Sequence, residues 1–258
     1  MKISVSSLCF NRLQKIDLKY LKILGVKAIE LVIYHQFETY QISKKMVTFK
    51  SNLKKYDLEV SGIQGFTFKP NTDLRKEFYK FSNEWIDHLH NIVSCAILFE
   101  TDKLIFGAPS FRVNINDKEQ FVNSLIKSVA YLKLEGINLL LEAVPKKYGA
   151  VFFNTIDSVL DFNIDNGLSN HFDTGCFLNE SPKSLQYSPI IDVQINHLHI
   201  SSPDLGAISE NKKLLNWIEK FGLPKVDDDF VVLESTLNLD NVFNAESDFK
   251  TLFNFLSH

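Results

Sequence analysis

The sequence predicts a single (β/α)8 barrel that spans residues 1–258. Short apolar runs alternate with longer stretches of helical periodicity, and eight such units fit the roughly 250 residues that this barrel needs. No linker rich in Gly, Ser or Pro and no low-complexity tract divides the chain. The predicted strands cover residues 2–7, 28–33, 58–64, 103–107, 137–142, 169–173, 194–200 and 229–235.

Helical periodicity is clearest over residues 119–135, where apolar side chains recur every three or four positions and Gly136 follows. The segment 174–193 is predicted to be an irregular loop. A doubly wound open sheet is the competing fold, but no strand is followed by GxGxxG or GxxxxGK[ST], which disfavours its nucleotide-binding versions. Further predicted helices cover residues 82–101, 155–166, 209–221 and 240–256.

Composition narrows the class of protein. The chain carries 28 basic and 31 acidic residues, a formal net charge of -3, which disfavours a nucleic-acid partner. Cys9, Cys95 and Cys176 lie far apart and are odd in number, which indicates free thiols in a reducing compartment. No stretch reaches the roughly 20 apolar residues of a membrane span, and the N-terminal run is too short and polar for a signal peptide. We therefore expect a cytoplasmic protein without a membrane partner; a homo-oligomer is left open.

One ionisable residue stands near the end of each of the last four predicted strands: Glu142, Asp173, His199 and Glu234. They are spaced by roughly 30 residues, about one βα repeat, and barrel active sites lie at the carboxyl ends of the strands. Taken alone, a Glu or Asp at a strand end is usually a helix cap or a solvated loop group. Together, three carboxylates and one imidazole at one height would repel unless a divalent cation lay among them. Such ligands suit Mn²⁺, Mg²⁺ or Co²⁺ better than a thiolate-type zinc site.

The chain resembles the sugar phosphate isomerase/epimerase family of xylose isomerase-like barrels over most of its length. The resemblance is carried by six stretches in the family's order, none of them specific alone. They are AIELVIY at 28–34, GIQGF at 62–66, IFGAPSFR at 105–112, LEAVPKKYGAVFFNT at 141–155, HFDTG at 171–175 and HLHISSPDL at 197–205.

This resemblance implies a metal-dependent isomerase or epimerase of a sugar, sugar phosphate or related hydroxy-carbonyl compound. One divalent cation, Mn²⁺ before Mg²⁺, Co²⁺ or Zn²⁺, would be held by Glu142, Asp173, His199 and Glu234. The two glutamates would also be the catalytic residues, moving a C–H proton through a metal-stabilised enediolate. That chemistry agrees with the residue types, because the cation acidifies the carbon beside a carbonyl and a carboxylate takes the proton.

Five residues are candidates for substrate binding: Arg112, His197, Gln64, Lys146 and Tyr148. Arg112 is expected to clamp a phosphate or carboxylate, with a surface arginine as the alternative. His197 is either an orienting residue or a packed core histidine. Lys146 and Tyr148 either line the barrel mouth or cover its rim, and Gln64 is expected to bond a hydroxyl. Two structural expectations accompany these: Glu30 pairs with a basic core residue, and the acidic triplet 227–229 forms a solvated loop.

Departures from the family pattern keep alternatives open. Ala143, Val144, Cys176 and Ser202 replace polar residues that many members carry, so the expected metal ligands are complete while the substrate shell is altered. An inosose-type dehydratase would use the same metal and bases, and a non-catalytic barrel with a ligand site is the third hypothesis. An apurinic endonuclease is disfavoured, because Gln64, Gly107 and Cys176 stand where its additional histidine ligands would be.

Overall fold

The computed structural model describes residues 1–10, 18–68, 73–179, 193–235 and 242–256. Its centre is an eight-stranded parallel sheet. All eight strands lie where the sequence predicts them. They are β1 (Lys2–Ser6), β2 (Ala28–Val32), β3 (Glu59–Gln64), β4 (Lys103–Phe106), β5 (Asn138–Leu141), β6 (His171–Asp173), β7 (His197–Ile200) and β8 (Phe230–Leu233).

The strands follow the order β5-β4-β3-β2-β1-β8-β7-β6 around the sheet. Every described pair is parallel. A parallel bridge between Leu141 and Asn170 brings β5 beside β6 and so joins the two edges of the sheet. The predicted (β/α)8 barrel is therefore confirmed.

The described helices alternate with the strands on the outside of the barrel. One prediction is wrong: residues 174–179, expected to be irregular, form a short helix directly after β6. The Asp173 carboxylate accepts the Cys176 N–H, which is the hydrogen bond of a helix N-cap; residues 180–192 lie outside the described ranges. No described helix is both long and apolar enough to span a bilayer. The helices are α1 (Leu18–Ile23), α2 (Ile33–Phe37), α3 (Lys44–Lys55), α4 (Leu74–Lys80), α5 (Asn83–Phe99), α6 (Lys118–Leu134), α7 (Ile156–Asn166), α8 (Thr174–Asn179), α9 (Lys212–Phe221) and α10 (Val242–Leu256).

An aromatic cluster anchors the loop after β4 to the helices that surround it. The Phe78 ring of α4 packs against Trp85, Phe106, Phe111 and Phe121, with ring centroids 5.1–5.6 Å apart. These rings are buried and come from α4, α5, α6, β4 and the β4 loop. Burial of aromatic surface of this size is the largest favourable contribution that single side chains make to a core. The cluster therefore fixes the segment that carries Arg112.

Candidate metal centre

The structure brings together the four residues that the sequence predicts as metal ligands. One ligand atom each from Glu142, Asp173, His199 and Glu234 lies within 4.8 Å of the other three. The strand register explains this: His199 pairs with Asp173 across β6 and β7, and with Val232 across β7 and β8. Parallel strands in register end at one level, so the residues at these ends meet at one edge of the barrel.

Burial and mutual repulsion dominate the electrostatics of the centre. Burial and the nearby Glu234 carboxylate raise the pKa of Glu142 to about 8, and the same two causes raise the pKa of Asp173 to about 6. A carboxyl group resists ionisation where another negative charge lies close and water is excluded. A bound cation would supply positive charge that offsets the repulsion between these carboxylates.

His199 lies between two carboxylates. Its Nδ1 is 3.3 Å from Glu234 Oε2, and its Nε2 is 3.0 Å from Glu30 Oε1. Burial lowers the pKa of the ring, but Glu30 and Glu234 outweigh burial and hold this pKa well above its usual range. Neither ring nitrogen makes a well-directed hydrogen bond to any described residue. On binding a cation the ring would release one proton and offer that nitrogen, and no such bond would have to break.

Asp173 is oriented by two donors. The Ser201 hydroxyl donates to Oδ2 at 2.7 Å, and the Cys176 N–H donates to Oδ1. Thr174 in turn holds Ser201 in position, because the Thr174 hydroxyl donates to the Ser201 carbonyl at 2.7 Å. Sequence reasoning missed Ser201, whose only signal is its position immediately after β7. Its hydroxyl fixes the direction in which the Asp173 carboxylate can meet a ligand.

Glu142 is held by Arg112 and Gly107. Arg112 has no exposed surface, and burial lowers its pKa to about 10, which leaves it cationic at neutral pH. Its guanidinium donates to the carbonyl oxygens of Phe106, Gly107, Glu142 and Phe153. A Cβ at position 107 would overlap Glu142 Oε2, so a larger residue there would require the Glu142 carboxylate to move. Main-chain carbonyls thus engage the guanidinium, and a contact of Arg112 with a substrate stays a prediction.

The remaining predicted substrate residues fall into two groups. His197 is fully buried, and its two ring nitrogens bond Asp228 at 2.8 Å and Glu30 at 2.7 Å. These bonds leave no nitrogen of His197 for a substrate, because both positions of the ring are engaged. Gln64 is also buried and donates to the Ser6 hydroxyl. Both side chains thus make contacts within the barrel, and a role of His197 or Gln64 toward a substrate stays a prediction.

The other two predicted substrate residues lie on the rim. Lys146 and Tyr148 belong to a 3-10 turn after β5 and are exposed; their contact with a substrate stays a prediction. Lys147, which the sequence analysis passed over, donates from Nζ to the Pro203 carbonyl. This bond joins the loops that follow β5 and β7.

Two further residues complete the surroundings of the centre. The acidic triplet was expected to be solvated, which is wrong for Asp228, because its side chain is 2% exposed and bonds His197. His171 of β6 is fully buried, and neither of its nitrogens has a partner among the described residues. Its ring meets His199 edge to face, with centroids 4.5 Å apart. Burial, together with His199 and His197, lowers the pKa of His171 well below its usual range, which keeps this ring neutral.

The donor set fits a hard or borderline divalent cation. Three carboxylates offer oxygen atoms, and His199 offers one ring nitrogen within the same 4.8 Å. Such oxygen-rich sets suit Mn²⁺, Mg²⁺ or Co²⁺. A cation would also relieve the repulsion that raises the pKa of Glu142 and Asp173.

Several solved structures share the fold, although no family model and no curated protein matches the chain. The 3-keto-D-glucoside 4-epimerase YcjR from E. coli has a TM-score of 0.67 and 15% identity, covering 100% of both chains. D-psicose 3-epimerase from Clostridium cellulolyticum H10 has a TM-score of 0.66 and 13% identity, covering 100% of this chain and 99% of that one. The probable 3-DHS dehydratase AsbF from Bacillus anthracis has a TM-score of 0.63 and 19% identity, covering 97% and 99%.

These similarities define the class of protein. The chain is a (β/α)8 barrel, and a xylose isomerase domain containing protein from Salmonella typhimurium shares its fold. An AP endonuclease of family 2 shares the same fold. Since identities below 25% establish a fold and not an activity, the site residues have to carry the argument for function.

Proposed function

We propose that this protein is a divalent-metal-dependent isomerase or epimerase of a sugar, sugar phosphate or related hydroxy-carbonyl compound. The observation that carries the proposal is the pair Glu142 and Glu234, which approach one cluster from β5 and β8 together with Asp173 and His199. The fold is that of several sugar epimerases. The expected partner is a small carbohydrate.

The roles of the residues follow from their chemistry. When bound, a divalent cation would polarise the oxygen atoms of a hydroxy-carbonyl substrate and acidify the carbon beside the carbonyl. Glu142, Asp173, His199 and Glu234 would hold this cation. Glu142 or Glu234 would take the proton from one face of that carbon, and the same or the other glutamate would return it. Return to the opposite face gives an epimer, and return to the neighbouring carbon gives an isomer.

The experiment is a screen of sugars, sugar phosphates and keto-polyols with Mn²⁺, followed by Glu142→Gln and Glu234→Gln. Glutamine keeps the shape and one ligating oxygen but removes the base. Turnover should fall at least about a hundredfold, the low end of a general-base contribution. Deuterium from D₂O should enter the carbon beside the carbonyl of a converted substrate, and turnover is the primary readout because a closed site can retain the proton.

The matched control is Glu59→Gln. Glu59 begins β3 at the opposite end of the barrel, where it is exposed and lies 3.7 Å from Lys2. This variant should keep wild-type turnover. Wild-type turnover in both Glu142→Gln and Glu234→Gln would refute proton transfer by these residues. If the wild type converts nothing in the screen, a non-catalytic barrel that binds a ligand replaces this proposal.

A dehydratase is the second candidate, supported by the likeness to AsbF. Elimination of water also begins with removal of a proton beside a carbonyl, and it then needs an acid to protonate the departing hydroxyl. The glutamate that takes the proton, Glu142 or Glu234, would then carry the proton that the departing hydroxyl needs. Mass spectrometry of the product separates the two reactions, since an epimer or isomer keeps the substrate mass and a dehydrated product loses one water.

A further inference from the structure

Glu30 lies inside the barrel, in the middle of β2, and has no exposed surface. Its Oε2 is 2.7 Å from His197 Nε2, and its Oε1 is 3.0 Å from His199 Nε2. β1 and β8 separate β2 from β7 in the sheet, so these contacts cross the barrel interior. The two histidines are two residues apart on β7 and therefore face the same side, which lets one carboxylate meet both.

We infer that Glu30 is the positioning residue of the metal centre: it fixes the proton of His199 on Nε2 and turns Nδ1 toward the three carboxylates as the cation ligand. A negative charge beside one ring nitrogen stabilises the proton there and leaves the lone pair of the other nitrogen for a metal. The position of Nδ1, 3.3 Å from Glu234 Oε2, agrees with this assignment. The inference rests on the proposed function only in that the centre binds a divalent cation.

Glu30 is itself held from the opposite end of the barrel. His197 bonds Glu30 through Nε2 and Asp228 through Nδ1, at 2.7 and 2.8 Å. Asp228 Oδ1 in turn lies 3.3 Å from the Nζ of Lys103, at the start of β4. Lys103, Asp228, His197 and Glu30 thus form a chain of contacts from the base of the barrel to His199, and each restricts the orientation of the next.

The wall of the barrel restricts the Glu30 carboxylate further. Gly62 of β3 is so close that a Cβ there would lie 3.2 Å from Glu30 Oε2 and 3.0 Å from Ile105 Cδ1. Gly62 thus leaves the space that the carboxylate occupies, and the 2.7 Å bond to His197 Nε2 holds the carboxylate there. A carboxylate with one orientation is what a positioning role requires, because a mobile one would not select a tautomer.

A purely structural buried cluster is the competing explanation, and it predicts different measurements. Removing a buried charge that only stabilises the fold lowers the melting temperature and leaves cation affinity unchanged. Removing a residue that orients a ligand weakens cation binding by about 10- to 100-fold even where the fold survives. Cation affinity and the environment of the bound metal therefore separate the two roles.

The experiment measures Mn²⁺ affinity by calorimetry and records the absorption spectrum of the Co²⁺-bound protein, for the wild type and for Glu30→Gln. We expect Glu30→Gln to lose about 10- to 100-fold in Mn²⁺ affinity and to shift the Co²⁺ spectrum. Asp228 lies two contacts further from the metal centre than Glu30 does, so Asp228→Asn should weaken Mn²⁺ binding less than Glu30→Gln. Ser61→Ala is the matched control: it removes the buried 2.7 Å hydrogen bond between Ser61 and Ser4, so it should lower stability but keep Mn²⁺ affinity.

A second measurement needs no variant and covers the case in which Glu30→Gln does not fold. Nitrogen-15 NMR of the histidine rings in the Zn²⁺-bound wild type should show His199 protonated on Nε2 with Nδ1 on the metal. The opposite tautomer overturns the inference, as does a folded Glu30→Gln with wild-type Mn²⁺ affinity and an unshifted Co²⁺ spectrum. Those results leave the proposed function standing if the wild type converts a sugar. If the wild type binds a cation with the expected tautomer but converts no substrate, only the proposed function is overturned. If the wild type binds no cation, both the proposed function and this inference are overturned.

Discussion

The buried guanidinium of Arg112 donates to the main-chain carbonyl of Glu142 at 2.9 Å, so a cation of the chain itself holds the residue that is predicted to bind the metal. The same group bonds the ends of β4 and β5 together through the carbonyls of Phe106 and Gly107. A fixed positive charge under an acidic centre also lowers the cost of burying the carboxylates.

Replacing Arg112 should therefore destabilise the protein. Arg112→Met removes hydrogen bonds to four carbonyls, and buried acceptors left without a partner cost about 1–3 kcal/mol each. The free energy of unfolding should fall by about 3 kcal/mol or more, measured by urea denaturation. Arg75→Met is the control: Arg75 is partly exposed and donates to one carbonyl at 3.5 Å, so its loss should cost no more than about 0.5 kcal/mol. Equal losses for the two variants would contradict this account.

Adding Mn²⁺ should stabilise the wild-type protein, because a ligand that binds only the folded state shifts unfolding. At a concentration a hundred times the dissociation constant the gain is about 2.7 kcal/mol, or roughly 5–10 °C in melting temperature for a domain of this size. The measurement is a thermal melt with Mn²⁺ and with a chelator. Asp173→Ala should melt at the same temperature in both. If the wild type melts at the same temperature with Mn²⁺ and with chelator, the predicted metal centre is wrong.

Gly107→Ala should weaken cation binding. A Cβ at this position would overlap the Glu142 carboxylate, so Glu142 would have to move away from the other ligands. Mn²⁺ affinity should fall at least about tenfold, the low end for a disturbed metal environment. Gly136→Ala serves as the control: it strains the backbone at a φ of 73° but meets nothing within 4 Å, so it should lower the melting temperature and keep the affinity. Similar Mn²⁺ affinities for the two variants would show that the position of the Glu142 carboxylate does not depend on the absence of a side chain at residue 107.

The stability of the metal-free protein should depend on pH through Glu142. The pKa of this carboxyl is about 8 in the folded protein and about 4.5 in the unfolded chain. Between these values the folded state binds more protons than the unfolded state, so this group's contribution to stability declines as pH rises. Glu142→Gln stays neutral. The variant should therefore gain in melting temperature over the wild type at about pH 8.5, and the gain should shrink toward about pH 5.

The check is a pair of melting series in the presence of chelator, one for each protein. Glu59→Gln, exposed at the opposite end of the barrel, should show the same pH dependence as the wild type. A constant difference between Glu142→Gln and the wild type across this range would mean that the Glu142 carboxyl is already ionised at pH 5.

The sequence alone determined the barrel and the four predicted ligands. Alternating strands and helices have distinct periodicities, and one ionisable residue per βα repeat must arrive at one edge of a parallel barrel. Glu142, Asp173, His199 and Glu234 could therefore be grouped from spacing and strand ends. The structure then brings one ligand atom of each within 4.8 Å of the other three.

Only the tertiary structure decided what surrounds these ligands. Glu30 and His199 meet across the barrel interior, 169 residues apart in the chain, and Asp228 turns inward from a segment that looks solvated in sequence. Arg112 ends among main-chain carbonyls because the aromatic cluster fixes its loop. Such contacts depend on how the barrel closes and on the space that Gly62 and Gly107 leave inside it. Sequence periodicity specifies which face of a strand a side chain occupies, but the distance across the interior is set by the packing of all eight strands.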